Sequence, residues 1–417
     1  MHSDSQRWLN YLFGLERKGI KLGLEPTKEL LKRCGNPHVF FPIAQIAGTN
    51  GKGSTAAITA HILQRHGKKV GLFTSPHLCR FNERIRFNGV PVEDSYVVQW
   101  IKEYHEHLDN IPTTFFEANT AMALCYFQHR RADIAILETG LGGRLDATTA
   151  TEPTWSALTP IDLDHTDLLG DSVESITREK AGIMKPGVPC LSAPQPTNIR
   201  KVIEDEAERM GTPLTFIVES SHVPIPPNLP GDHQHLNATL AWNLAEVILG
   251  EDFDPGMARK GIETAYWPGR YQRLCNQPRV VYDVAHNPHG MKAVLATISK
   301  ERRSNRKWLV LALQQGKNAD ALFEMLIPEF DAIVLTQSGI RDYIPAQDMP
   351  QHAGSPHPHI RMIPDAIQAI RETMERAEKH DFIAILGTHY LGPAISELFK
   401  ISFDNLILKD SISGQEF

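Results

Sequence analysis

A glycine-rich loop between a predicted strand and a predicted helix constrains this chain more than any other feature. Around the stretch AQIAGTNGKGSTAAITAHIL, the apolar run 41–47 predicts a buried strand and 53–67 predicts a helix. Glycines allow backbone N–H groups to point at phosphate oxygens, and the start of a helix adds partial positive charge. Lys52 can reach the outer phosphates as a point charge. Residues 48–54 are therefore predicted to bind phosphate.

The loop departs from the two common nucleotide-binding patterns. Only two residues separate Gly48 from Gly51, and Gly53 stands between Lys52 and Ser54, so the loop is not a standard Walker A motif. The G-x-G-x-x-G pattern of a dinucleotide site is also absent. The position between strand and helix favours phosphate binding, but the loop alone leaves open which phosphate compound is bound.

Short apolar runs alternate with helical stretches along the chain. This order predicts an α/β fold with a mainly parallel sheet. A segment rich in turn-forming residues, 267–279, separates a first series of runs from a second one. Since 417 residues are enough for about two to three domains, we expect an N-terminal domain that carries the loop, 1–270, and a smaller C-terminal α/β domain, 271–417.

Composition narrows the possible partners and the compartment. A net charge of -6 and a pI of about 6.3 argue against a general nucleic-acid-binding protein. The five cysteines are scattered and form no C-x-x-C pair, which is typical of reduced thiols rather than of disulfides or a zinc site. The N-terminus lacks a signal-peptide pattern, and no apolar run approaches the ~20 residues of a membrane span. We expect a cytoplasmic protein that binds neither nucleic acid nor membrane.

Four further segments place polar side chains near the ends of predicted strands. Because the carboxyl ends of parallel strands share one edge of a sheet, we expect these side chains to approach the phosphate loop. Oxygen ligands beside a triphosphate suit Mg²⁺, which also keeps waters and substrate phosphates. Each residue taken singly has an ordinary alternative as a turn residue, a surface charge or a hydrogen-bonded polar group. The candidates are Ser75, His77, Glu138, Arg144, Asp146, Asp164, His165, Asp167, Lys180 and Lys185.

The second domain offers a polar group of its own. In VVYDVAHNPHG, Asp283 and His286 come at the end of a predicted strand, and Arg270 lies in the linker. An arginine and an aspartate that face an interdomain cleft can clamp ATP, with the guanidinium on phosphate and the carboxylate on the ribose or base. Asn287 and Pro288 are also typical of a helix start. We expect both, because capping explains Asn287 and Pro288 but not Asp283 or His286.

A series of motifs then follows in a fixed order. They are AGTNGKGS, TSPHL, NERI, LETGLGGRLDAT, LDHTDLLG, REKAGI, WPGRYQ and DVAHNPH. In this combination the chain resembles the dihydrofolate synthase/folylpolyglutamate synthase family, within the wider Mur ligase group. The resemblance implies a P-loop, Mur-ligase-like ATPase domain at residues 1–270, a Rossmann-like glutamate-ligase domain at residues 271–417, and a monomer. It also implies ATP-dependent amide formation, in which an acyl phosphate forms on dihydropteroate or a folate and L-glutamate attacks it.

The resemblance further implies roles for individual residues. It implies that Lys52, His165 and Lys180 are catalytic and that Lys180 is carbamylated. Two Mg²⁺ sites are expected, with Ser75, Glu138 and His165 as metal ligands. ATP is expected to bind Thr49, Asn50, Gly51, Lys52, Gly53, Ser54, Asn237, Arg270, Asp283 and His286. The pteroate or folate is expected near Gly14, Leu15, Glu16, Arg17, Thr114, Phe115, Phe116, Glu117, Arg144 and Leu145.

Two positions depart from the family pattern. Thr149 stands where the family has the Asn of DATN, and Lys21 stands where it often has an Asp before LGLE. Both are expected on the side of the acyl substrate. A synthase that only lengthens folate tails, or a Mur-type ligase for another carboxylate, stays open as an alternative. A nucleotide-binding regulator without catalysis is expected to lack the metal ligands and the lysine, whereas this chain retains Ser75, Glu138, His165 and Lys180.

Overall fold

Two mainly parallel β-sheets form the framework of the chain. The structure, a computed structural model, describes residues 2–15, 23–301, 305–340, 342–353 and 359–406. One sheet lies in the N-terminal part and the other in the C-terminal part, and helices pack against both. The predicted α/β fold is confirmed.

Within the described residues, the first sheet has eight strands. They are β1 (Ile43–Ala47), β2 (Val70–Phe73), β3 (Ile85–Phe87), β4 (Val90–Pro91), β5 (Ile134–Glu138), β6 (Trp155–Leu158), β7 (Cys190–Ser192) and β8 (Leu214–Phe216). Their order across the sheet is β4-β3-β2-β5-β1-β6-β7-β8, and only the β2–β3 and β3–β4 pairs are antiparallel. The central strands β1 and β5 are buried along their whole length, as expected for parallel strands covered on both faces.

The second sheet has six strands in the described residues. They are β9 (Gln272–Asn276), β10 (Arg279–Asp283), β11 (Lys307–Leu311), β12 (Ala332–Gln337), β13 (Ile360–Asp365) and β14 (Phe382–Leu386). Their order is β13-β12-β11-β14-β10-β9, and only the edge strand β9 runs antiparallel to its neighbour. This arrangement confirms a smaller second α/β unit.

Helices connect the strands and cover both sheets. They are α1 (His2–Gly14), α2 (Glu25–Arg33), α3 (Lys52–Arg65), α4 (Asp94–Asn110), α5 (Phe115–His129), α6 (Thr166–Leu169), α7 (Val173–Ala181), α8 (Thr197–Met210), α9 (Asp232–Leu249), α10 (Pro255–Glu263), α11 (Pro288–Ile298), α12 (Ala319–Leu326), α13 (Ala366–Arg376) and α14 (Gly392–Phe399). Local sequence explains where two of them begin. Thr114 and Glu117 exchange hydrogen bonds with each other's backbone N–H at the start of α5. Asn287 accepts the N–H of Gly290 at 2.8 Å at the start of α11, so the predicted cap is confirmed.

The strands that follow β1 in sequence lie on both sides of it in the first sheet. Helix α3 leads from β1 to β2 on one side, whereas β6 follows β5 in sequence but pairs with the other side of β1. Open α/β sheets bind ligands at such a switch point, beyond the carboxyl ends of the strands. The glycine-rich loop, residues 48–51, occupies this position between the ends of β5 and β6.

The first sheet ends at Phe216 and the second begins at Gln272. The buried side chains of α9 and α10 belong to the hydrophobic core of the first sheet. We therefore propose the domain boundary at residue 270, with domains 1–270 and 271–417.

All five cysteines are free thiols. None of the helices in the described ranges has both the length and the apolar character that a bilayer crossing requires.

Candidate active site

A cavity of about 260 Å³ lies where the two domains meet. Its walls come from the phosphate loop, from the ends of β2, β5 and β6, from the start of α9, and from the segment between β10 and α11. It brings together all of the predicted nucleotide and metal residues. These are Thr49, Asn50, Gly51, Lys52, Gly53, Ser54, Ser75, Glu138, His165, Asn237, Arg270, Asp283 and His286.

The phosphate loop has a backbone shape that only glycine permits at two positions. Gly48 has a φ of +144°, and a Cβ there would lie 1.9 Å from Thr159 Oγ1. Gly51 has a φ of +90°, and a Cβ there would lie 2.3 Å from Asn237 Oδ1. The hydroxyl of Thr49 donates to the carbonyl of Asp162 at 2.9 Å, which fixes the loop against the segment after β6. Glycine and the packing of Thr49 therefore fix the backbone shape of the loop.

Two polar groups at the loop have few partners among the residues that the structure describes. Lys52 Nζ faces the cavity and donates to the carbonyls of Gly48 and Thr49, each at 3.0 Å. Ser54 Oγ is buried and has no hydrogen-bond partner within the described ranges. A buried hydroxyl without a partner costs free energy, so a ligand or metal at this place would satisfy it.

The predicted metal ligands surround the same space. Glu138, at the end of β5, is 5% exposed, and its carboxylate accepts the N–H of Ser75 at 3.0 Å. Burial raises the pKa of Glu138, and the nearby Lys52 opposes this rise. His165 precedes α6 with a φ of +51°, and its side chain is 43% exposed at the cavity. Partial desolvation there lowers the pKa of the imidazole to about 4.

These donors fit Mg²⁺ better than a metal held by protein alone. In the described part of the chain, no group of three or more His, Cys, Asp or Glu side chains could hold a metal ion. A carboxylate, a hydroxyl and a neutral imidazole beside a phosphate loop leave places for phosphate oxygens and waters, which Mg²⁺ retains in nucleotide sites. The unpartnered hydroxyl of Ser54 adds a further oxygen at this position.

Lys180 is a buried lysine behind the phosphate loop. It lies on α7 with 4% exposure, and its Nζ donates to the carbonyl of Gly48 at 2.9 Å. Burial, and then the charge of Lys52, lower the pKa of Lys180 to about 7. A substantial fraction of the amine is therefore neutral at neutral pH.

This pKa predicts how stability depends on pH. An unfolded lysine keeps its ordinary pKa of 10.5, so between about pH 7 and pH 10 the unfolded chain binds a proton at Lys180 that the folded chain does not. The free energy of unfolding of the wild type should therefore rise with pH in this window, relative to a Lys180→Met variant, by up to about 1.4 kcal/mol per pH unit. Denaturant titrations in CO₂-free buffers measure this difference. Parallel pH profiles of the two proteins would contradict the assignment.

The second domain contributes a positive and a negative side chain to the cavity. Asp283, at the end of β10, accepts the N–H of Tyr271 at 2.7 Å and that of Ala285 at 2.8 Å. Burial raises the pKa of Asp283, and the neighbouring Arg270 opposes this rise. Burial also lowers the pKa of His286 to about 4. The geometry agrees with the predicted meeting of Arg270 and Asp283 at a nucleotide cleft.

Two Mur ligase family models match the chain. The Mur ligase middle domain matches residues 46–190, and the Mur ligase, glutamate ligase domain matches residues 269–389. The dihydrofolate synthase/folylpolyglutamate synthase of Bacillus subtilis (strain 168) is 34% identical over 348 residues, which are 76% of this chain and 80% of that protein. The chain belongs to the dihydrofolate synthase/folylpolyglutamate synthase family of Mur ligases. The resemblance seen in the motifs is confirmed.

Solved members of this family share the fold along nearly the whole chain. Escherichia coli FolC in complex with DHPP and ADP has a TM-score of 0.86 at 30% identity, covering 95% of this chain and 97% of that one. A bifunctional folylpolyglutamate synthase/dihydrofolate synthase with Mn, AMPPNP and L-glutamate bound has a TM-score of 0.84 at 29% identity, covering 94% and 98%. Members of the family thus bind a nucleotide and a divalent metal on this fold.

Among the described residues, those that the family resemblance links to the acyl substrate do not line the nucleotide cavity. Thr114 and Glu117 cap α5, and Phe115 packs in the core beside Phe13 and Phe81. The ring of Phe116 packs closely on Gly140, a residue that lines the cavity, since a Cβ at Gly140 would lie 2.6 Å from this ring.

Of the other acyl-site candidates, Arg144 forms an ion pair with Glu179 on α7. Leu145 follows it in the same turn. Gly14 and Leu15 lie at the end of α1. Where the structure describes these candidates, none of them lines the nucleotide cavity. Glu16, Arg17 and Lys21 fall outside the described residues, so the acyl site of this family member stays a prediction.

Thr149, one of the two departures from the family pattern, lies in the protein interior. Its side chain is buried, its hydroxyl donates to the carbonyl of Gly143 at 2.6 Å, and it accepts from the amide of Gln45 at 2.7 Å. Asp146, in the same turn, accepts the N–H groups of Gly140 and Leu141. Thr149 therefore holds the turn after β5 against β1.

Three residues at the site were not identified from the sequence. His233 and His389 line the cavity, and Lys317 forms an ion pair with Asp164 beside it. His389 and Lys317 follow β14 and β11 at the same sheet edge as Asp283. Ligand-binding residues often follow the carboxyl ends of parallel strands. Both residues could therefore have been predicted from their positions after strands of the second sheet.

Proposed function

We propose that this chain is an ATP-dependent amide ligase that joins L-glutamate to dihydropteroate and lengthens the glutamate tail of folates. One observation carries the proposal. A preformed phosphate loop, the buried carboxylate of Glu138 and the Arg270–Asp283 pair of the second domain face a single cavity. The family membership supports the same reaction.

The residues of the cavity suit the transfer of a phosphoryl group. The backbone N–H groups of residues 51–53, at the N-terminus of α3, bind phosphate oxygens, whereas those of Thr49 and Asn50 donate to the carbonyl of Pro160. Lys52 turns from its own loop to the outer phosphates. Arg270 binds phosphate and Asp283 the ribose or base, so the nucleotide is held by both domains. Ser75, Glu138 and His165 would hold Mg²⁺. When bound, Mg²⁺ neutralises charge that develops on the transferred group.

The proposed ligation proceeds in two steps. A carboxylate oxygen of the acceptor attacks the γ-phosphorus of ATP, the bond to the β-γ bridging oxygen breaks, and ADP leaves. The amino group of glutamate then attacks the acyl carbon of the resulting acyl phosphate, and phosphate leaves with one oxygen from the original carboxylate while the nitrogen loses a proton. Phosphate is a far better leaving group than oxide, so one difficult step becomes two easier ones.

We further propose that Lys180 is carbamylated and that the carbamate takes part in a second Mg²⁺ site. The neutral amine attacks CO₂ and loses a proton, which changes a buried cation into an anion. Three features support this proposal: Lys180 is buried, its pKa is lowered to about 7, and Lys52 lies close enough to repel its positive charge. A carbamate would replace that repulsion with attraction.

The remaining properties are also proposals. Five free cysteines suit a reducing, cytoplasmic location. We propose that the protein acts as a monomer on small-molecule substrates, namely dihydropteroate, folates and L-glutamate, with neither nucleic acid nor membrane as a partner.

Acceptor specificity tests the proposed function. Phosphate release from MgATP is measured with L-glutamate and either dihydropteroate or tetrahydrofolate, and mass spectrometry identifies the products. Turnover of both acceptors, each gaining glutamate, is expected. Turnover of tetrahydrofolate alone would restrict the chain to tail extension. Turnover of neither would show that a different carboxylate is activated in this cavity.

A further inference from the structure

A buried ion pair joins the two domains beside the phosphate loop. Asp164, which lies between β6 and α6, accepts from Lys317 Nζ at 2.9 Å and from the amide of Asn287 at 3.3 Å. Both partners belong to the second domain. The side chains of Lys317 and Asp164 are only 13% and 11% exposed. Burial disfavours the charge of Asp164, but Lys317 and the nearby His165 and His286 outweigh this effect and hold its pKa below the ordinary value.

A second set of hydrogen bonds extends this contact into the loop itself. The amides of Asn50 and Asn287 exchange two hydrogen bonds of 3.1 Å each. Asn50 Nδ2 also lies 2.8 Å from His289 Nδ1. Asn50 is a residue of the phosphate loop, and Asn287 caps α11. The loop and the first turn of α11 are therefore held together by side chains from both domains.

Another ion pair that crosses between the domains provides a contrast. Lys300 and Asp232 approach to 2.7 Å, but their side chains are 59% and 83% exposed. Exposed pairs contribute little to stability because water and salt screen them. Loss of one member of a buried pair instead leaves a charge without compensation in a low-dielectric place. Of these two pairs, only Asp164–Lys317 can favour the closed arrangement of the domains strongly.

We propose that Asp164 and Lys317 are positioning residues that latch the second domain over the phosphate loop before the nucleotide binds. The latch keeps Arg270, Asp283 and His286 at the cavity, so that less of the binding energy of ATP is spent on domain closure. If the latch is broken, the open arrangement gains population. The apparent affinity for nucleotide then falls in proportion to the fraction of molecules that remain closed. Bound ATP still closes the cleft, so the rate at saturation changes less.

The test compares Lys317→Met with the matched control Lys300→Met. In Lys317→Met we expect the KM for MgATP to rise about tenfold or more while kcat falls less than about threefold. Lys317→Arg should restore most of the wild-type KM, because it keeps the charge. Lys300→Met should behave as the wild type. A fall in kcat with an unchanged KM would overturn the proposal, since it would place Lys317 in the chemical step.

Hydrogen exchange tests the latch without turnover. In the protein without ligands, amide exchange in residues 48–52 and 287–291 should become about tenfold faster or more in Lys317→Met and stay unchanged in Lys300→Met. Unchanged exchange in Lys317→Met would refute the latch. The kinetic prediction rests on the proposed ligase function, whereas this one does not. Faster exchange in a protein that turns over no folate would leave the latch standing and refute only the proposed function.

Discussion

Replacement of Lys52 by alanine is expected to lower the rate of phosphate release roughly 100- to 1,000-fold. Among the described residues, Lys52 Nζ lines the cavity and donates only to two carbonyls of its own loop. Its charge is therefore available to the phosphate groups, where a fixed cation stabilises the charge that develops during transfer. Steady-state assays with saturating MgATP, acceptor and glutamate measure the effect.

Folding should be nearly unaffected by this change. Lys52 is partly exposed and forms no ion pair within the described residues, so the unfolding midpoint of Lys52→Ala should stay close to that of the wild type. Lys68→Ala is a suitable control, because Lys68 is exposed and pairs with Asp252 at 3.5 Å on the surface. Near-normal turnover by a folded Lys52→Ala protein would refute the phosphate assignment.

Replacement of Lys180 by alanine should lower turnover about 100-fold or more if the reactive form is the carbamate, because an anionic metal ligand is lost together with its second-site metal. The wild-type protein, stripped of CO₂ at low pH and returned to neutral pH, should regain activity faster when bicarbonate is added. Steady-state rates and recovery curves measure both effects.

Chemical rescue separates a carbamate from an amine at this position. Formate or acetate should partly restore the activity of Lys180→Ala, since either can place a carboxylate in the vacated space. Methylamine should not. Lys185→Ala is the control: unlike Lys180, which donates to the carbonyl of Gly48, Lys185 has no hydrogen bond to the loop among the described residues, so this variant should keep most of its activity. Rescue by methylamine, together with activity independent of bicarbonate, would show that Lys180 acts as an unmodified amine.

Local sequence was sufficient to predict the elements that form the site. The loop at residues 48–54, the buried strand before it and the cap at Asn287 depend on neighbours a few residues away, and the structure contains all three. The convergence of Ser75 and Glu138 on this loop also followed from the sequence, because parallel strands end at one edge of a sheet. These predictions used periodicity and chain direction alone.

Contacts between distant segments could not be predicted in this way. Asp164 and Lys317 are 153 residues apart, and neither lies in a pattern that indicates a partner. The sequence also contained no sign that Thr149 packs on Gln45 in the interior, and its place on the acyl-substrate side stays a prediction. Such details depend on how two elements pack together, which no local pattern specifies.

Transfer of oxygen from the acceptor carboxylate to phosphate tests directly whether an acyl phosphate forms. Dihydropteroate labelled with ¹⁸O in its carboxylate is incubated with the protein, MgATP and L-glutamate, and the released phosphate is analysed by mass spectrometry. We expect one ¹⁸O atom in each phosphate, ADP as the nucleotide product, and one amide bond formed for each phosphate. Phosphate without ¹⁸O, or release of AMP and pyrophosphate, would contradict activation of the carboxylate as an acyl phosphate in this cavity.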